Sequence, residues 1–280
     1  MTDDALLSAM VTARASRTPC ATVTVAATTG SVPRAVGAKM LVYLTGEPLG
    51  TIGGGKLEAL ALLVAKEAIR SGKSGLQTYP LREDEPASFG AICGGEVTLF
   101  IEPVSRREAL FLAGAGHCAR AIAKLGTECD LHVTVIDERE DELALCSAAH
   151  AKIASSPVSF IRSREWESDE ALILVSRHFQ EDQEALFAAL SGPALGYLGM
   201  IGSRRKILHV FDEMCRRGIK SERLAQVYAP MGLDIGADSP SEIAVSVLAE
   251  VMAVLRGRTG KHLRPKLFSA AERADSTQPL

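Results

Sequence analysis

Hydrophobic positions along this chain follow two different rules on either side of residue 107. Before it, patterns are amphipathic. Leu6, Leu7, Met10 and Val11 recur at helical spacing and predict a helix over 3–16. Thr22-Val23-Thr24-Val25 alternates with period two and is β-branched, which predicts a strand, and Met40 to Leu44 predicts another. A helix follows through Ala59, Leu60, Leu63, Val64 and Ile69, then strands over 76–81 and from Val97 to Glu102. Beyond residue 107 the strands become short continuous apolar runs: Leu110 to Ala113, Val133 to Ile136 and Ala171 to Val175. Such runs suit strands buried on both faces of a parallel sheet. Helical stretches at 117–125, 141–149 and Gln180 to Leu190 separate them, with further strands over 151–154 and from Leu195 to Ile201. A last helix is predicted from Glu242 to Leu255, announced by Ser239 as N-cap, Pro240 at the first position and Glu242 at the third.

The fold class that follows is α/β, with a small N-terminal α/β domain and a Rossmann-like parallel-sheet domain after it. The polar break from Pro103 to Arg107 sets the boundary, giving domains over 1–104 and 105–256. Residues 257–280 lose periodicity and gain Arg, Lys, Ser and Pro, so they are expected to form a disordered tail. The Rossmann expectation rests on one stretch. The run ending at Ala113 enters Gly114-Ala115-Gly116-His117-Cys118-Ala119, a G-x-G-x-x-A turn opening a helix, and the next run delivers Asp137. Glycines let the backbone approach a pyrophosphate, the helix start offers N–H groups, and an acid about 20 residues on meets a ribose hydroxyl. Gly114, Gly116, His117 and Asp137 are therefore candidate ligand residues.

Composition narrows the function. The chain has 280 residues, 47% hydrophobic and 23% charged, enough for ordinary cores. Its net charge of −3 and 5% aromatic content argue against a nucleic-acid partner. No apolar run approaches the ~20 residues of a membrane span. The N-terminal stretch is acidic and then amphipathic, unlike a signal peptide, so a cytoplasmic location is expected. Six cysteines form no C-x-x-C pair and no zinc-finger spacing, and reduced thiols are expected.

Other glycine loops compete with the turn for chemistry. Thr28 to Lys39 carries two glycines and the cations Arg34 and Lys39. Gly53-Gly54-Gly55 opens a helix, either as a flexible connection or as an anion cradle. Cys93-Gly94-Gly95 leaves a thiol with few neighbouring side chains; it is either a turn cysteine or a soft ligand. Ser203 caps a helix whose first residues, Arg204, Arg205 and Lys206, oppose the helix dipole. They form either a solvated basic face or the seat of an anionic partner.

Seven segments in order carry a resemblance: GSVPRAVGAKM (30–40), GTIGGGKLE (50–58), CGGEV (93–97), GAGHCA (114–119), VIDER (135–139), YLGMIGSRRK (197–206) and PMGLDIGADSPSEIAVS (230–246). Together they resemble the XdhC/CoxI family of xanthine dehydrogenase accessory proteins, over about residues 18 to 257. The resemblance implies a non-enzymatic chaperone for the molybdenum cofactor in its molybdopterin form. Such a carrier holds the cofactor while a cysteine desulfurase installs a sulfido ligand, then delivers it to the molybdenum-binding subunit of a xanthine dehydrogenase. Cys93 is then the expected molybdenum contact. The segment after the central strand departs from the family's frequent Thr-His-Asp, reading Ser176-Arg177-His178. A homodimer is an expectation of this kind of carrier and of no residue pattern. The alternative is an NAD(P)-dependent oxidoreductase using the G-x-G-x-x-A turn.

Overall fold

The computed structural model describes residues 3–81, 95–104 and 107–263. They fall into two compact units, Met1–Arg107 and Glu108–Leu280. The first holds α1 (Asp3–Ala15), β1 (Cys20–Thr29), β2 (Lys39–Tyr43), β3 (Leu49–Gly50), α2 (Gly55–Ser71), β4 (Gly75–Pro80) and β5 (Glu96–Val104). Its sheet runs β3-β2-β1-β5-β4 and every pairing is antiparallel. Period-two burial explains why the strands settle here. Ala21, Val23 and Val25 of β1 face one core with Leu99 and Ile101 of β5, closed by Leu57, Ala61, Ala65 and Ala68 of α2. Cys20 and Leu41 face the opposite side with Leu6 and Ala13 of α1. A register shift between Val25 and Ala27 interrupts the β1–β5 pairing. Gly72, in the left-handed conformation, ends α2.

The second unit alternates strand and helix: β6 (Ala109–Ala113), α3 (His117–Glu128), β7 (His132–Asp137), α4 (Glu140–Ala144), β8 (Ala151–Ala154), α5 (Pro157–Arg162), β9 (Glu170–Leu174), α6 (Phe179–Ser191), β10 (Tyr197–Met200), α7 (Arg204–Arg216), α8 (Ser221–Leu224), β11 (Val227–Tyr228) and α9 (Pro240–Leu255). The sheet is parallel, in the order β11-β10-β9-β6-β7-β8. Read from β8, this is the doubly wound order of two mononucleotide-binding halves. Both faces are covered. Leu110, Leu112, Ala171 and Ile173 meet α3 and α9 through Ile122, Val247 and Val251. Phe111, Ala113, Leu172 and Leu174 meet α6 and α7 through Leu186 and Val210. Hence the continuous apolar runs. At the start of α9 the Ser239–Glu242 capping box forms, satisfying two N–H groups reciprocally.

Two local expectations change. The helix expected over 141–149 stops at Ala144, because Cys146 and Ala149 turn back onto Leu143 and Cys146. The short helix α5, with Pro157 at its first position, has too few residues to show a period. The expected disordered tail falls partly on 257–263, which hold no helix or strand, and otherwise outside the described residues. Among the described residues no helix is long and apolar enough to cross a membrane.

Candidate functional site

Strand order reverses between β6 and β9, and the loops leaving these strands diverge to open a cleft at the carboxyl edge of the sheet. Gly114 makes the approach possible. Its φ is 120°, and a Cβ there would lie 2.6 Å from the Val175 carbonyl and 2.8 Å from Ser176 Cα. The turn after β6 therefore packs directly on the turn after β9. Gly116 is different: it is the N-cap of α3 with φ −70°, and nothing lies within 4 Å of a Cβ built on it. Among the described residues no side chain caps this helix, which leaves its first N–H groups open to a ligand.

Two cavities flank the turns. One of about 460 Å³ is lined by Gly116, His117, Cys118, Arg139, Ser176 and Arg177 among others. A smaller one, about 110 Å³, is lined by Gly114, Asp137, Arg139, Ser156, Ser176 and Glu181 among others. Arg139 and Ser176 border both. The Cys118 thiol is half-buried, and burial raises its pKa, which disfavours the thiolate. Asp182 sits 5% exposed beneath the loop after β9, its Oδ1 accepting from the Ser176 N–H at 2.9 Å. Burial pushes its carboxyl up to about 6, against the opposing pull of the hydrogen bonds from Ser176.

Asp137 stands where a ribose acceptor is expected, at the end of β7, but its oxygens are engaged. Oδ1 accepts from the Arg139 backbone N–H and from Nε, both at 2.9 Å; Oδ2 accepts from Arg139 Nη2 and from the Ala115 N–H, both at 2.8 Å. Burial alone would raise this carboxyl, but the hydrogen bonds from Arg139 and Ala115 carry it below the usual range. Asp137 thus fastens the glycine turn to β7 and fixes an arginine. Sequence reasoning passed over Arg139, although a cation two residues after the strand-end acid was there to be seen.

In the first unit, three of the glycine segments meet. A Cβ on Gly53 would strike the Pro33 ring, with Arg34 Cγ 3.9 Å away. A Cβ on Gly95 would overlap the Thr29 and Ser31 carbonyls. Arg34 and Lys39 are exposed on the loop side of this cluster. Cys93 and Gly94 lie outside the described residues. Gly53, Gly54 and Gly55 all have positive φ, which only glycine adopts without strain. Their N–H groups are largely spoken for. Glu58 Oε2 accepts from Gly54 N at 3.1 Å, Ile52 N at 3.2 Å and Thr51 Oγ1 at 2.6 Å, and Gly53 N donates to Thr51 Oγ1 at 3.2 Å. At α7, Ser203 Oγ accepts from Lys206 N, and Arg204 is exposed beside it. Among the described residues no group of three or more His, Cys, Asp or Glu side chains could hold a metal ion.

Residues 110–251 match the XdhC Rossmann domain, and residues 13–80 match the XdhC and CoxI family. The chain belongs to the XdhC/CoxI family. It is 32% identical over 237 residues to the uncharacterized protein YqeB of Escherichia coli, covering 82% of this chain and 42% of YqeB. It is 28% identical over 159 residues to a probable xanthine dehydrogenase subunit from Bacillus subtilis, covering 55% of this chain and 45% of that one. The chain thus spans less than half the length of these two relatives. Identity to the molybdenum cofactor insertion chaperone PaoD of Escherichia coli is 25%, over 91% of this chain and 90% of PaoD. Both units of this XdhC/CoxI protein therefore have counterparts in PaoD.

Proposed function

We propose that this chain is a molybdenum-cofactor maturation chaperone. It binds the cofactor in the molybdopterin form, holds it while a cysteine desulfurase adds the sulfido ligand, and delivers it to the molybdenum-binding subunit of a xanthine dehydrogenase. The end-to-end likeness to PaoD, a protein named for cofactor insertion, carries this reading. The likeness to a probable xanthine dehydrogenase subunit supports the choice of target. The loop cluster of the first unit suits the cargo. Gly53 packs on Pro33 and Gly95 on the Thr29–Ser31 backbone, which brings the glycine segments together on the loop that carries the exposed cations Arg34 and Lys39. Cys93 lies two residues before Gly95 in the chain, and a thiolate is the soft donor that a sulfur-liganded metal favours. In this reading Cys93 contacts molybdenum or shields the sulfido ligand, and the carrier is a homodimer.

The test is to purify the full chain from cells that make the cofactor. Molybdenum by mass spectrometry and oxidised pterin by fluorescence should both be present; pterin-free protein overturns the cargo reading. Cys93→Ala should lower bound molybdenum and activation of the target; unchanged values of both overturn the role of that thiol. Light scattering on the same sample reads the assembly.

A further inference from the structure

Around the cleft of the second unit, the acid that should meet a sugar is already paired with an arginine. A carboxylate offers about four acceptor sites. Asp137 has all four filled, three of them by Arg139. A ribose diol could dock on Asp137 only by breaking a bidentate ion pair. The guanidinium is in the opposite position. It carries five N–H donors in a fixed plane. Asp137 takes the edge made of Nε and one hydrogen of Nη2. The end of the fork, with both hydrogens of Nη1 and the second of Nη2, remains. Its nearest charge partner there is Glu142, with Oε1 3.9 Å from Nη1, beyond hydrogen-bond reach. The side chain is 37% exposed and borders both cavities. An arginine held on one edge by a carboxylate has already lost its rotamer freedom, so it engages a second oxyanion at low entropic cost.

The larger cavity adds complementary charge. Arg177 lines it and, among the described residues, forms no ion pair. The uncapped N–H groups of α3 border the same space, with room above Gly116. The larger cavity has one carboxylate in its wall, Glu142, against Arg139 and Arg177, whereas the smaller has three, Asp137, Glu138 and Glu181, against Arg139 alone. An anion is therefore directed to the larger side.

We infer that this cleft selects its ligand by a phosphomonoester dianion seated against Arg139, Arg177 and the start of α3, with Asp137 acting as the positioning residue that presents Arg139 rather than as a ribose acceptor. The phosphate has two sources of the same chemistry: the side chain of molybdopterin, or the 2′-phosphate of an NADP-type nucleotide. The inference rests on the cleft being a ligand site and deepens the chaperone reading only if the source is the pterin, whose seat is then in this unit rather than at the loop cluster of the first.

Calorimetric titration of the full chain with NADP⁺ and with NAD⁺, which differ only in the 2′-phosphate, is run beside the pterin content of protein from cofactor-making cells. The comparison uses wild type, Arg139→Gln and Arg139→Lys. If the source is the nucleotide, NADP⁺ binds at least ten-fold tighter than NAD⁺ and Arg139→Gln abolishes the difference. If it is the cargo, the nucleotides bind equally or not at all, and Arg139→Gln loses most of its pterin while Arg139→Lys keeps an intermediate amount. Equal binding of both nucleotides together with full pterin in Arg139→Gln overturns the inference and leaves the chaperone intact. NADP⁺ preference with pterin-free wild type overturns the chaperone and leaves the inference. Because the nucleotide comparison is made on wild type, it stands even if a variant misfolds.

Discussion

Two glycine turns open helices in this chain, and in sequence they look alike. Gly53-Gly54-Gly55 starts α2 in the first unit; Gly114-Ala115-Gly116 starts α3 in the second. Their donors have different fates. In the first, Glu58 reaches back from one turn into the helix and gathers the N–H groups of Ile52 and Gly54 together with the Thr51 hydroxyl. The cradle holds the protein's own carboxylate. In the second, the acid comes from a different strand, engages only the Ala115 N–H of the turn, and leaves the helix start uncapped beside a cavity. A glycine-rich helix start is a ligand site only where the fold has not already supplied the anion. Whether it has depends on one residue three or four positions downstream, or on a residue at the end of the neighbouring strand.

The largest effect should come from filling the close contact between the two switch-point turns. Gly114→Ala places a methyl group against the Val175 carbonyl and Ser176 Cα, at a φ of 120° that alanine disfavours. Backbone cannot yield cheaply, so a loss of about 3 kcal/mol or more is expected. Urea unfolding followed by circular dichroism reads it; a loss under about 0.5 kcal/mol, the range of a neutral surface change, would mean the loops do not pack this way.

Asp182 offers the next effect, and it is read against pH. The folded carboxyl titrates near 6, above its ordinary value of 3.8. The folded state therefore binds this proton more tightly than the unfolded state. Its contribution to stability is fully present below about pH 4 and is lost as pH rises through 6. The change is on the order of 3 kcal/mol. Asp182→Asn keeps an oxygen for the Ser176 N–H without the buried charge. It should be more stable than wild type at pH 7.5 by a similar amount and show a flatter stability profile between pH 4 and 6. Equal profiles for the two proteins would remove Asp182 as the titrating group.

Glu58→Ala tests the self-filled turn. Three donors lose their shared acceptor, one of them the N–H of the fully buried Ile52. A loss of about 1–3 kcal/mol is expected, measured by thermal unfolding. Anion binding at the α3 turn should not change; if it falls in step with stability, the contrast between the two turns is wrong.

Much of the second unit was legible because its strands are buried on both faces. Continuous apolar runs such as Ala171 to Val175, the G-x-G-x-x-A turn and the Ser239-Pro240-Ser241-Glu242 cap each have a local cause that reads directly. The first unit was less legible. Pairing β1 with β5 joins residues about 80 apart in sequence, and nothing local encodes it. The site was harder still. The position of Asp137 at the end of its strand follows from spacing, but its role depends on Arg139 closing over it, a side-chain choice that periodicity does not record. Gly53 to Gly55 suggested an anion cradle for the same reason, since Glu58 reads as an ordinary first-turn acid until its carboxylate is seen to fold back.

The sharpest test of the contrast is the substitution expected to do least to the fold. Gly116 has φ −70°, accessible to any residue, and open space where a Cβ would stand. Gly116→Ala should therefore leave unfolding free energy within about 0.5 kcal/mol of wild type. If glycine serves only to keep that space clear, the methyl group will project to where a phosphate oxygen must approach the α3 N–H groups. Affinity for the preferred ligand of the cleft, NADP⁺ or the pterin, should then fall at least ten-fold while the fold stays intact. Gly114→Ala would lose binding and stability together, and Gly116→Ala would lose binding alone. Retention of full affinity in Gly116→Ala would show that the open helix start is bare surface, and that the anion, if bound, is held by Arg139 and Arg177 without the turn.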